Sequence, residues 1–179
     1  EQVAAAYRAA RLEGESIVVE RFVPGEDFRL LVVGSKVIAA ARRAPAHVVG
    51  DGASTVDALI RKVNTDPKRG SGHGSPLTRL KNDETSVSIL AEQGLTLSSV
   101  LEAGQVALLR RNANLSTGGT AEDITDDIHP DFAASAVEAA QVIGLDVAGI
   151  DIVALDPRRP LDPSNGAIVE VNAAPGLRM

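Results

Sequence analysis

The chain has 179 residues, 44% of them hydrophobic but only 2% aromatic, with no Cys and no Trp. This composition calls for a core of Ala, Val, Leu and Ile in one large domain or two small lobes, and it excludes disulfides, thiolate nucleophiles and Cys-ligated metals. The net charge of −6 argues against a protein that grips nucleic acid by bulk charge. No apolar run is long enough to span a bilayer and no signal peptide is seen, so neither nucleic acid nor membrane is an expected partner and the cytoplasm is the default location. The first residue is Glu rather than Met, so the chain reads as a piece of something longer.

In chain order, residues 1–13 read as a helix of small residues with a stop at Gly14. Residues 16–23 read as a strand centred on Ile17, Val18 and Val19, and residues 20–25 as the turn that ends it. Residues 28–33 and 36–41 are strands joined by the two-residue hairpin signal Gly34-Ser35, and residues 45–52 are a loop. Ser54, with Asp57 three residues on, marks a helix start that runs to about Val63. Residues 64–76 are a long loop, Asp83 caps a helix that stops at Gly94, and residues 106–110 are a strand followed by a polar stretch. Pro130 and Gly144 frame an amphipathic helix whose apolar stripe is Phe132, Ala136, Ala139, Ala140 and Ile143. Two apolar runs, 147–155 and 168–172, are joined by a loop rich in Pro, Asp and Arg and are expected to pair as an antiparallel hairpin. The regular βαβ alternation of a doubly wound sheet is missing, so the fold class is α+β.

Three stretches carry chemistry. In the last strand, Glu170 and Asn172 are two apart and share one face, while Val169 and Val171 are expected to turn into a core. Asp151 interrupts the apolar run that pairs with it. Two carboxylates and an amide on one sheet face offer hard oxygen donors of the kind Mg²⁺ prefers. Second, residues 110–120 hold Arg110, Arg111, Asn112, Asn114, three hydroxyls and the pair Gly118-Gly119. Guanidiniums bind phosphate oxygens in pairs, and amides in a Gly-rich turn can converge on an anion. A flexible polar loop is the plainer alternative. Third, residues 18–29 end a strand, turn and restart it, with acids on both sides of the turn; read alone, this is a polar hairpin turn. His47, His73 and His129 lie too far apart in sequence to suggest a metal site.

Taken in order, these stretches resemble the carboxy-terminal part of the ATP-grasp fold in its glutathione-synthetase-like branch. Residues 40–52, 64–70, 111–120 and 169–179 extend the resemblance over nearly the whole chain. The resemblance implies a mostly antiparallel sheet with flanking helices, an upstream lobe that is missing, and a partial domain. Within it, residues 14–43 form hinge and hairpin strands, 44–105 an inserted helical and loop region, and 106–179 the phosphate loop and metal-binding strands. It implies ATP and Mg²⁺ as cofactors. Glu20, Arg21, Phe22 and Val23 would line the base, Asp27 or else Glu26 would face the ribose, and Arg29 would lie near the phosphates. The loop from Asn112 to Gly118 and Gly119 resembles the family's Asn-Leu-x-x-Gly-Gly loop beside the phosphates and the acceptor. Asp151, Glu170 and Asn172 fall where the family holds its metal ions.

The activity implied is that of a carboxylate–amine ligase: a peptide or polymer carboxylate becomes an acyl phosphate and an amino acid, aspartate in one member of the family, attacks it. Arg29 and Arg111 would meet the phosphates, and Asn114 onward would offer donors to the tetrahedral intermediate. A homo-oligomer built through the longer parent chain is expected, and the isolated residues are expected to be inactive or nearly so. Rival readings are a bifunctional glutathione synthetase, a non-catalytic nucleotide-binding module and an oligomerisation piece built on the Ala-rich helices.

Overall fold

The computed structural model describes residues 2–71 and 74–176. Helix α1 (Gln2–Glu13) leads in, and strands β1 (Glu26–Val33) and β2 (Lys36–Ala44) form a hairpin across Gly34, whose φ of +60° suits glycine. Then come β3 (His47–Val49), α2 (Val56–Val63), the two-residue strands β4 (Arg69–Gly70) and β5 (Leu77–Thr78), α3 (Glu84–Glu92) and β6 (Val106–Leu108). The chain closes with β7 (Thr120–Asp123), α4 (Pro130–Ile143), β8 (Val147–Ala154) and β9 (Gly166–Ala173).

Five strands form the main sheet in the order β7-β2-β1-β8-β9, and each neighbouring pair is antiparallel. Burial in β1 alternates residue by residue, so Phe28, Leu30 and Val32 face one side and Asp27, Arg29 and Leu31 the other. The first side meets α4. Phe28 packs edge-on against Phe132, with ring centroids 5.9 Å apart and planes at 85°. Ala136 and Ala140 let the helix lie close to Ala148, Ile150 and Ile152. A second group of buried residues gathers around Val48, Val56, Leu59, Leu90, Leu101 and Leu109, between α2, α3 and the β3–β6 pair. The α+β class and the mostly antiparallel sheet read from the sequence are thus present.

Several elements depart from the sequence reading. Residues 16–23 form no strand, and Val18, Val19 and Phe22 are 76–85% exposed; an apolar run becomes a strand only where it finds a ladder partner. The expected loop at 45–52 contains β3, which pairs with β6 in register His47↔Leu108. The polar stretch ends in β7, an edge strand rich in polar residues that periodicity could not separate from loop. The cap of α2 is Thr55, whose hydroxyl accepts from the Ala58 amide at 3.3 Å, while Ser54 serves Asp51 instead. Asp83 does cap α3, and Gly144 closes α4 in a left-handed conformation. Ile143, expected in the apolar stripe of α4, is 62% exposed in its last turn.

Candidate functional site

The second face of the main sheet carries the charges. Register places Arg29 of β1 opposite Asp151 of β8, and Asp151 opposite Glu170 of β9. Asn172 stands opposite Gly149 two pairs along, on the same face, and Asp27 stands opposite Arg43 of β2. The three predicted metal residues and Arg29 are therefore gathered on one face, as the hairpin reading required. The alternation is broken once. Asp151 pairs with Glu170 but Ile152 pairs with Ile168, so Val169 is an extra residue and β9 bulges there. The bulge turns Ile168 to the side that Val171 already faces, toward the core around Phe28, while Val169 is 57% exposed. The expectation that Val169 points into a core fails for this reason, and without the bulge Ile168 would share the face of Glu170.

Asp151 is the centre of the cluster, with its side chain 8% exposed. Arg29 grips it at two points: Nε donates to Oδ1 at 2.5 Å and Nη2 to Oδ2 at 2.8 Å. Arg43 Nη2 lies 2.9 Å from Oδ1, and Asn172 Nδ2 donates to Oδ2 at 3.3 Å. Arg43 also stands 4.0 Å from Asp27. Burial pushes the Asp27 carboxyl above its ordinary range, the Arg43 charge opposes that shift, and the charge of Asp151 adds to it. Glu26, the alternative to Asp27, pairs with Arg42 at 3.6 Å. Gly149 gives the guanidinium its room: a Cβ there would lie 3.0 Å from Arg29 Nη1 and 2.7 Å from Pro175 Cβ. Pro175 follows Ala174, the one non-glycine among the described residues with positive φ, +46°. Neither Gly149 nor Arg43 was singled out by sequence reasoning, because their importance comes from cross-strand register.

The hinge residues lie at one end of this sheet. Arg21 and Val23 line a cleft of about 390 Å³ together with Leu155, Asn165 and Gly166. Glu20 and Phe22 are exposed. Asn165 is 1% exposed and ties the loop between β8 and β9 together, accepting from the Asp156 amide at 3.1 Å and donating to the Asp156 and Pro160 carbonyls at 2.9 Å each.

The polar loop has a more local architecture than its composition suggests. Arg110 is buried and donates to Ser86 Oγ, the Leu109 carbonyl and Asp83 Oδ2, which binds the strand end to the start of α3. Arg111 is exposed and pairs with Glu92 at the end of α3. Asn112 Oδ1 accepts from Thr117 Oγ1 at 2.9 Å, and the Asn114 carbonyl accepts from the Thr117 and Gly119 amides at 3.1 Å each. Gly118 adopts φ +101° and its amide donates to the Leu115 carbonyl. A Cβ at Gly119 would come within 2.8–2.9 Å of the Ala44, Ala113 and Asn114 carbonyls. The glycines therefore shape and close the loop, with both amides engaged inside it, and the Asn114 side chain stays exposed beside them.

Asp151, Glu170 and Asn172 suit a divalent cation by their chemistry. Their donors are hard oxygens on one face of two paired strands, once the Asn172 amide presents oxygen rather than nitrogen. Among the described residues no group of three or more His, Cys, Asp or Glu is placed to hold a metal. Two carboxylates and one amide match Mg²⁺, which keeps water and phosphate in its remaining positions. His73 and residues 177–179 of the last motif lie outside the described residues.

Residues 100–179 match the family model of the RimK-like ATP-grasp domain, so the strand-loop-hairpin unit just described is similar to that of an ATP-grasp domain. The chain as a whole is similar to cyanophycin synthetases. It is 54% identical to that of Nostoc sp. over 179 residues, 100% of this chain and 20% of the relative. It is 52% identical to that of Synechocystis sp. over 181 residues, again 100% of this chain and 21% of the relative. The bifunctional glutathione biosynthesis protein of Listeria monocytogenes is 38% identical over 164 residues, 92% of this chain and 21% of that protein. The crystal structure of a bifunctional glutathione synthetase from Pasteurella multocida matches with a TM-score of 0.76 and 34% identity over 88% of this chain and 21% of that one. The chain spans about a fifth of the length of these relatives. The ATP-grasp resemblance read from the sequence holds in both sequence and fold. No helix among the described residues is long and apolar enough to cross a membrane.

Proposed function

We propose that the chain supplies the metal-binding and phosphate-facing part of an ATP- and Mg²⁺-dependent carboxylate–amine ligase. The observation that carries this reading is the register that sets Arg29, Asp151 and Glu170 side by side on three adjacent strands, with Asn172 beside them. The chemistry of such a ligase is positioning and charge stabilisation. Asp151, Glu170 and Asn172 would hold the cation. Bound Mg²⁺ neutralises the charge that develops on the transferring phosphoryl oxygens. Arg29, fixed by Asp151 through Nε and Nη2, would have Nη1 left for the phosphates. Arg111 and the exposed Asn114 side chain stand on the loop that would face the acyl phosphate and the tetrahedral species. Arg21, Val23 and their neighbours form the cleft that would receive the base, with Asp27 toward the ribose.

The substrate pair in this reading is a peptide or polymer carboxylate and an incoming amino acid, aspartate. Identity of 54% to a cyanophycin synthetase against 38% to a glutathione biosynthesis protein favours the polymer over glutathione. The test is ATP titration of the full-length protein with and without Mg²⁺, beside Glu170→Gln. Metal-linked binding that Glu170→Gln weakens supports the ligase reading. ATP binding indifferent to metal sinks it and leaves a scaffold that has kept the fold alone.

A further inference from the structure

The charged sheet face holds a second guanidinium with a different set of bonds from Arg29. Arg43 has a side chain only 12% exposed, and its Nη2 reaches Asp151 Oδ1 at 2.9 Å and stands 4.0 Å from Asp27 Oδ1. Its Nε is buried and finds no hydrogen-bond partner among the described residues. A buried donor without an acceptor is costly, so this placement of Arg43 is not the best its surroundings can offer. Arg29, by contrast, spends two donors on Asp151 in a bidentate grip. Of the two guanidiniums, Arg43 is the easier to move, and Asp27, directly opposite it in register, is the acceptor to which it can turn.

We propose that Arg43 is a positioning residue that exchanges between two carboxylates. Resting on the reading of Asp151 as a cation ligand, Arg43 closes on Asp151 when no divalent ion is bound and withdraws to Asp27 when one is. The guanidinium and the cation then compete for one oxygen, Oδ1, already shared with Arg29. Arg43 keeps the buried carboxylate neutralised in the free protein and sets how tightly the ion is held. Withdrawal also brings Arg43 toward the carboxylate that the proposed function assigns to the nucleotide's ribose, so the metal and nucleotide sites are linked through one side chain.

Mn²⁺ alone is the probe, titrated into the full-length protein and followed by the electron paramagnetic resonance of the free ion. Arg43→Met removes the competing charge and should bind Mn²⁺ about tenfold more tightly, the scale expected from one unit charge at this distance in a partly screened site. Arg43→Lys, which keeps the charge, should stay near the wild type, and Asp151→Asn should lose the site. Arg43→Gln, which keeps a donor without the charge, replaces Arg43→Met if the latter melts early. Unchanged or weaker binding by the neutral variants, with Asp151→Asn still losing the ion, overturns the exchange and leaves the cation reading standing. Full Mn²⁺ binding by Asp151→Asn, or none by the wild type, overturns both.

Discussion

Asp151 and Arg29 stand directly opposite one another on β8 and β1, and the guanidinium closes on the carboxylate through two hydrogen bonds of 2.5 and 2.8 Å. They are 122 positions apart in the chain. The pair is partly buried, and Asp151 Oδ2, held by Arg29, also accepts from Asn172. Arg29→Met should leave Asp151 to Arg43 alone and destabilise the protein by about 1–3 kcal/mol, below the usual cost of stripping a buried ion pair because one cation remains. Urea unfolding measures it. Arg29→Lys should recover only part of the loss, since an ammonium cannot make the bidentate contact.

Gly149 is required by what lies over it. Gly149→Ala puts a methyl 2.7 Å from Pro175 Cβ and 3.0 Å from Arg29 Nη1. The expected result is a loss of about 1–3 kcal/mol, the range for overpacking a closed site. A crystal structure of the variant should show Pro175 and the Arg29 guanidinium displaced. An undisturbed Arg29 would count against this account of the glycine.

Neighbouring arginines of the polar loop should behave oppositely. Arg110 is buried and bonded to Ser86 and Asp83, the latter being the N-cap of α3. Asp83→Ala removes a cap and leaves a buried guanidinium without its carboxylate, for about 2–4 kcal/mol together. Arg111→Ala should change stability by less than about 0.5 kcal/mol, because its pair with Glu92 is exposed. Thermal melts of both variants make the comparison. If Arg111 acts on phosphates, its loss appears in ligation rate and not in melting.

Glu170 offers the cleanest separation of stability from function. It is exposed, so Glu170→Gln should melt within about 0.5 kcal/mol of the wild type. Ligation that depends on Mg²⁺ should fall by roughly a hundredfold or more, the usual cost of one preorganised stabilising group. Near-native ligation by this variant would remove Glu170 from the site.

Asp51 gives a pH signature away from the site. Its carboxyl is lowered from 3.8 to about 2, first by the Ser54 amide, then by the Ser54 hydroxyl and the Ala53 amide. The folded value lies below the unfolded one, so the charged form stabilises the fold. That contribution is complete above pH 3.8 and disappears as pH falls through about 2. The melting-temperature gap between wild type and Asp51→Asn should be constant near neutrality and close over that acid window.

Much of this molecule was legible in its residues. The caps at Asp83 and Gly144, the hairpin at Gly34 and the pairing of the last two strands follow from local chemistry that needs no distant partner. So does the set Asp151, Glu170 and Asn172, because polar residues interrupting apolar strands stand out in the sequence. Residues 16–23 misled for the converse reason: they have the composition of a strand, and a strand also requires a neighbour to bond with. β3 and β7 were hidden because three- and four-residue strands carry too little periodicity to show.

Composition and spacing, then, determined the fold class and picked out the acids and amide of the metal reading, while motifs similar to those of a known family carried the ATP-grasp resemblance. Tertiary structure decided which residues join them. Arg43 meets Asp151 only through two intervening registers, and Gly149 matters only because Arg29 and Pro175 arrive above it. The bulge at Val169 is likewise a property of two strands. Side-chain alternation is written along one strand, but which side chain faces which across a sheet depends on pairings between segments more than a hundred residues apart.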